Sequence, residues 1–241
     1  MFNRRHPLPL YYQLKEVIRE QIENGELKPD DRIPSERELS ERYEISRMTA
    51  RQAITELVNE GLLFREQGKG TFVAMPKINQ GLLGLTSYTE DMMRRGLTPG
   101  TKLLSFQLIQ PTRKIADRLK ISLDSRVIQM ERLRLANDEP MALETSHIPA
   151  HLCPGLDQSE LEGQSLYRIL ETKYQIRLGH ASETLEPAMP STPEAELLSI
   201  APTVPLLLIE RITYTPDGSP VEFVKSIYRG DRYKFYVELE R

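Results

Sequence analysis

The chain has 241 residues, 39% hydrophobic and 28% charged, which excludes disorder as the main state and leaves room for two modest domains. A formal net charge of −3 excludes a global positive field, so any binding of nucleic acid has to come from a local cluster. One cysteine, Cys153, excludes an internal disulfide framework, no apolar run approaches the ~20 residues that span a bilayer, and the opening MFNRRHPLPLYYQ lacks the apolar core of a secretory signal; a cytoplasmic protein with no membrane partner is expected.

Leu10, Leu14, Val17, Ile18 and Ile22 recur at helical spacing, and Gly25 follows as a stop signal. Ser35 and Glu38 have capping-box spacing, so a second helix should run from Ser35 to about Tyr43. Ser46 can cap a third that ends near Gly61. After it, LLFRE and TFVAM read as two short strands around the glycine-rich turn QGKG. The order is helix, helix, helix, two-stranded wing, over residues 1–75. Residues 76–83 carry a proline and no clear period, and read as a linker. Residues 84–241 then read as an α+β effector-binding and dimerisation domain with an antiparallel sheet. Its strands are TKLLSFQLI, RVIQMERLRLA, MALETSHI, PLLLIERITY, VEFVKSIY and KFYVEL; its helices are TRKIADRLK, SLYRILETKY and TPEAELL.

On the third helix Ala50, Ala53, Ile54, Leu57 and Val58 form one apolar face. Arg47, Arg51, Gln52 and Thr55 fall opposite, with no acid between Ile45 and Thr55. A short turn leading into a helix whose polar first half carries arginines suits insertion into the major groove of double-stranded operator DNA. Arg37 could meet a phosphate or a base edge, and Gly68 and Lys69 at the wing tip could approach the adjacent minor groove. An isolated arginine pair would read as solvated surface charge; capping, apolar face, acid-free polar face and basic wing together favour DNA.

PSERELSERYEISRMTARQAITELVNEGLLFREQGKGTFV closely resembles the winged helix-turn-helix of GntR-family bacterial transcription regulators, a resemblance that spans Pro9 to Val73. It implies that Arg37, Arg47, Thr49, Arg51, Gly68 and Lys69 hold DNA-contacting positions, and that a homodimer binds a palindromic operator. Beyond Gly84, GLTSYTEDMMRRGLTPGTKLL, ERLRLANDEPMALETSHIP and EFVKSIYRGDRYKF resemble the effector (UTRA) domain of the HutC branch, whose fold is like that of chorismate lyase. Within that branch the resemblance is to repressors of N-acetylglucosamine utilisation, which implies a phosphorylated amino sugar as effector.

The residues suit such a ligand. Arg132 and Arg134 lie at i and i+2 on one face of a strand and could supply fixed charge to a phosphate. Ser87, Tyr88 and Thr89 form a hydroxyl-rich run, and Ser165 precedes a helix whose free N–H groups favour an anion. Glu144 and Glu222 could accept from sugar hydroxyls, while Tyr167 and Tyr228 could flank the ring or bond the phosphate. Arg132 with Glu144 also fits an ordinary cross-strand ion pair.

Enzyme signals are thin. His147 and His151 have HxxxH spacing, but Pro149 intervenes and the glutamate of a zinc protease is missing. GKGT lacks the order of a phosphate loop, and Cys153 has no base nearby in sequence. A regulator rather than an enzyme is expected, with no metal and no cofactor. The rivals are a regulator answering another metabolite, and a sugar-phosphate enzyme with a DNA-binding anchor.

Overall fold

A computed structural model describes residues 7–81, 84–161 and 163–239. The chain divides into two compact units, Met1–Lys77 and Ile78–Arg241.

The first unit packs helices α1 (Leu10–Glu23), α2 (Glu36–Tyr43) and α3 (Arg47–Asn59) beside the hairpin β1 (Leu63–Glu66) and β2 (Gly70–Val73). Each boundary has a local cause. Ser35 Oγ accepts from Glu38 N at 3.3 Å while the Glu38 carboxylate accepts from Ser35 N at 2.8 Å, the reciprocal cap expected. Ser46 Oγ accepts from Thr49 N at 3.1 Å and starts α3. Glu44 ends α2 in the left-handed region, φ 53°, which turns the chain sharply into α3. Ala50, Ala53, Ile54 and Leu57 are buried against Leu14, Ile18 and Leu39. The two alanines keep that face of α3 narrow, so its neighbours approach closely. Lys15 of α1 reaches Glu60 at 3.0 Å and Glu56 at 3.4 Å, tying α1 to the last turns of α3. Arg32 adds an isolated bridge to Phe72 of the wing.

The second unit holds an antiparallel six-stranded sheet. Its order is β4 (Pro99–Ile109), β5 (Val127–Ala136), β6 (Glu139–Pro149), β9 (Pro220–Arg229), β8 (Leu206–Tyr214), β7 (His180–Ala188). Side chains alternate between its two faces. On one face Ile128 and Met130 pack with Leu166, Ile169 and Leu170 of α6 (Leu166–Thr172), and Ala136 and Met141 pack with Tyr88 and Met92 of α4 (Tyr88–Arg94). On the other, Val127 and Phe223 meet Ile115 and Leu119 of α5 (Arg113–Leu119), and Leu133, Leu135 and Ile227 meet Leu198 of α7 (Thr192–Leu198). Arg132 and Arg134 therefore emerge on the first face, where the α4 and α6 clusters leave a gap.

Three elements depart from the reading of the sequence. Residues 78–81, inside the stretch read as a linker, form β3 (Ile78–Gly81), paired in parallel with β10 (Tyr233–Tyr236). Their partner lies at the far end of the chain, so no local pattern marks them, and this parallel pair departs from the all-antiparallel expectation. HASETLEPA forms edge strand β7; most of its residues are exposed, so it lacks the apolar alternation that announces a strand. The hydroxyl-rich run at Ser87 is the start of α4, where Ser87 and Glu90 form a capping box. That signal was present in SYTE.

Candidate functional site

The polar face of α3 is open. Arg47, Arg51 and Gln52 are exposed, and Met48 between them is 67% exposed. Thr49 is half-buried, with its hydroxyl 2.8 Å from Ser46 Oγ. Arg37 on α2 lies 3.8 Å from Glu41, a loose surface pair. Gly68, at φ 78°, makes the wing tip, and Lys69 beside it reaches Glu66 Oε1 at 2.5 Å. The structure thus brings Arg37, Arg47, Thr49, Arg51, Gln52, Gly68 and Lys69 into one small unit, on α2, α3 and the turn between β1 and β2. It also supplies an acid that the linear reading missed. Glu36 of α2 accepts from Arg51 Nε at 2.9 Å, so a face free of acids along α3 is not free of them in space.

In the second unit a small, mostly polar cavity opens on the α4 and α6 side of the sheet. Ser87, Tyr88, Arg132, Arg134, Glu144, Ser165, Tyr167, Glu222 and Tyr228 all line it. Thr89 does not; one position beyond Tyr88 on a helix, its side chain turns about 100° away. Leu166, Ile209, Arg211, Val224 and Ser226 complete the lining. Arg211 had no sequence signal, because its ion-pair partner Glu183 belongs to the unrecognised strand β7.

The charges in this cavity are buried and imperfectly paired. Glu144 Oε2 lies 3.1 Å from Arg134 Nε and 3.3 Å from Arg132 Nη2, as the β5–β6 register, which sets Arg132 opposite Glu144, dictates. Arg132 Nη2 donates to Ser146 Oγ at 2.9 Å, and Arg134 Nη1 to Thr101 Oγ1 at 2.7 Å. The Arg134 guanidinium also stacks 4.5 Å over the Tyr88 ring. Yet among the described residues Tyr88 Oη, Arg132 Nε, Arg134 Nε, Glu144 Oε2 and Ser165 Oγ have no hydrogen-bond partner: the ion-pair distances to Glu144 are short but the angles fail. Buried polar atoms are nearly always satisfied, so five around one cavity mark a place where a polar ligand would complete the bonding.

The two carboxyl groups differ. Burial pushes the Glu144 carboxyl up, but Arg134 and then Arg132 outweigh it and hold it below the ordinary value. Burial raises Glu222, with the Glu144 charge adding and Arg132 opposing. Tyr167 OH lies 3.3 Å from Glu222 Oε2 and 2.9 Å from Thr213 Oγ1. Burial also raises Tyr88, Tyr167 and Tyr228, which stay protonated donors. Three arginines, Arg132, Arg134 and Arg211, line the cavity with two glutamates, Glu144 and Glu222, and Arg211 is also paired with Glu183. The cavity suits an anion that also carries hydroxyls.

Known proteins resemble this chain along its length. The model of bacterial regulatory proteins of the gntR family matches residues 10–73, and that of the UTRA domain matches residues 94–234. The HTH-type transcriptional repressor NagR of Bacillus subtilis is 48% identical over 239 residues, 99% of this chain and 98% of that protein. The mannosyl-D-glycerate transport/metabolism system repressor MngR of Escherichia coli is 34% identical over 233 residues, 97% of each. The crystal structure of PhnF from Mycobacterium smegmatis superposes with a TM-score of 0.66 at 30% identity, covering 96% of this chain and 99% of that one. A winged helix-turn-helix followed by a UTRA domain, each matched across its own unit, places this chain in the gntR family of bacterial DNA-binding regulators.

Proposed function

We propose that the protein is a cytoplasmic, homodimeric repressor of genes for amino-sugar uptake and catabolism, and that a phosphorylated amino sugar relieves repression. N-acetylglucosamine-6-phosphate and glucosamine-6-phosphate are the candidate effectors. The observation that carries this reading is the Arg132–Arg134–Glu144 cluster, buried and short of hydrogen bonds, in a cavity lined by three arginines and two glutamates. Phosphate oxygens accept from guanidinium N–H groups with good geometry, and sugar hydroxyls can donate to Glu144. The likeness to NagR over 99% of the chain points the same way.

Relief of repression requires the effector to bind the DNA-incompetent state more tightly, typically by ~1–3 kcal/mol of coupling. A homodimer would place two recognition helices on half-sites about 34–36 Å apart. A thermal-shift and calorimetric screen of phosphorylated sugars, run beside a DNA-release assay, tests the proposal. Stabilisation and release by an amino-sugar phosphate, without turnover, is the expected result. Release by a different metabolite would change the effector, and turnover would make the second unit an enzyme.

A further inference from the structure

Glu36 stands where a DNA-binding surface would be expected to exclude acids. It opens α2, and its carboxylate receives Arg51 Nε of α3 at 2.9 Å on Oε2 and 3.2 Å on Oε1. Its Oε1 also lies 3.9 Å from Arg65 Nη2 on wing strand β1, and that same nitrogen donates to Thr55 Oγ1 of α3 at 2.9 Å. One carboxylate therefore touches the helix before the turn, the helix after it, and the wing.

The consequence lies in which nitrogen is used. A guanidinium carries five N–H donors in a rigid fork. Glu36 takes the Nε edge, and among the described residues none accepts from the two Nη groups of Arg51. The Arg51 side chain is 57% exposed, and that of Glu36 29%. The free end of the fork is the part that pairs with O6 and N7 of guanine. Held at Nε, the side chain has less freedom to lose when it docks. Against this, a carboxylate close to a phosphate-binding surface repels DNA of every sequence.

We propose that Glu36 is a positioning residue for base readout: it aims the Nη fork of Arg51 at a guanine and, in exchange, lowers sequence-independent affinity. This rests on α3 being the recognition helix and Arg51 a base reader. Glu36 itself touches no base in this scheme. Its effect belongs to discrimination rather than to affinity as such.

The test uses the full-length chain and two duplexes, one recovered by the wild-type protein from a randomised pool and one a scramble of it. Glu36→Gln keeps size and polarity while removing the charge. It should weaken binding to the recovered duplex by about tenfold or more and tighten binding to the scramble severalfold, so the ratio falls by more than the loss at the recovered duplex alone. In an Arg51→Ala background the same change should leave the ratio where it stands, since the fork it aims is gone. Equal tightening on both duplexes would reduce Glu36 to a repulsive charge and overturn the proposal. Equal weakening, together with a lowered melting temperature, would reduce it to a structural tie and overturn it too. If Arg51→Ala itself spares the ratio, the assignment of Arg51 as a base reader fails, which is a separate result.

Discussion

Arg134 Nε sits 3.1 Å from Glu144 Oε2, near enough for an ion pair and at the wrong angle for a hydrogen bond. Arg132 stands in the same relation to that oxygen, at 3.3 Å through Nη2. The strand register enforces both distances, so relaxation of one side chain cannot satisfy all three groups. A ligand oxygen between the two arginines would satisfy donors that the protein leaves open.

Arg134→Ala should therefore keep operator binding and lose induction, giving a super-repressor. Each charge-assisted hydrogen bond lost to a phosphate should cost roughly 1.5–3 kcal/mol, about one to two decades in affinity. Free N-acetylglucosamine should bind the wild-type protein more weakly than its 6-phosphate by a similar factor. The variant should also melt earlier, although Arg132 still faces Glu144 and keeps the loss below the ~3–5 kcal/mol of an orphaned buried charge. Calorimetry with both sugars, a DNA-release assay and a melting curve read these effects. Normal induction of Arg134→Ala would leave the arginines as a structural ion pair.

On α3, Arg47→Ala should weaken selective binding while stability stays within about 0.5 kcal/mol, because its side chain is exposed. A lost bidentate contact to guanine is worth roughly 1–3 kcal/mol. Lys69→Ala, at the wing tip, should weaken all sequences alike and flatten the salt dependence. Mobility shifts at two salt concentrations separate the two variants. Effector affinity should not change in either.

The cavity carboxyls predict opposite pH dependences. Glu222 has its folded-state value raised, so its contribution to stability is present below the unfolded value of ~4.3 and is lost as pH rises through the raised value. Glu222→Gln should thus gain melting temperature relative to wild type on going from acid to neutral pH. Glu144 is depressed, so its contribution is present above the unfolded value and lost as pH falls through the lowered one. Glu144→Gln should lose most at neutral pH and little in acid. Melting temperatures of the three proteins from about pH 2 to 8 decide it, and parallel curves would contradict both assignments.

Cys153 is 1% exposed, and burial raises its thiol to about 11 against a small opposing pull from Lys173. Little thiolate exists at neutral pH, and reagent access is poor. Alkylation should then follow unfolding: negligible for the native chain, complete in denaturant. Mass spectrometry of a denaturant series would show the two transitions coincide. Rapid labelling of folded protein would place the thiol nearer the surface.

What was legible in the sequence is what is written locally. Ser35 with Glu38, Ser46, Gly68 and the apolar spacing of α3 each act over a few residues, and they sufficed for the winged unit. Arg132 and Arg134 could be set on one face by alternation. The structure puts nine of the ten candidate cavity residues around one space, and the pitch of α4 turns Thr89 away from it. Glu36 against Arg51, and Glu183 against Arg211, join residues whose spacing carries no period. The pairing of Ile78 with Tyr233 is the same problem at its largest separation.

That last pairing has a further consequence. The second unit is fastened at its seam: the strand that begins it is hydrogen-bonded, in register, to one that nearly ends it, with Tyr233 only 1% exposed at the join. A two-stranded parallel pair is marginal alone, so the seam depends on that buried ring and on Tyr228, whose ring meets Tyr233 edge-on at 4.9 Å. Because the pair is parallel, Ile78 lies beside Tyr233 at the start of β10, and Gly81 beside Tyr236 at its end. Trimming residues 233–241 would remove β10. It would leave every strand of the six-stranded sheet in place and undo the stitch that holds Ile78, the residue directly after Lys77.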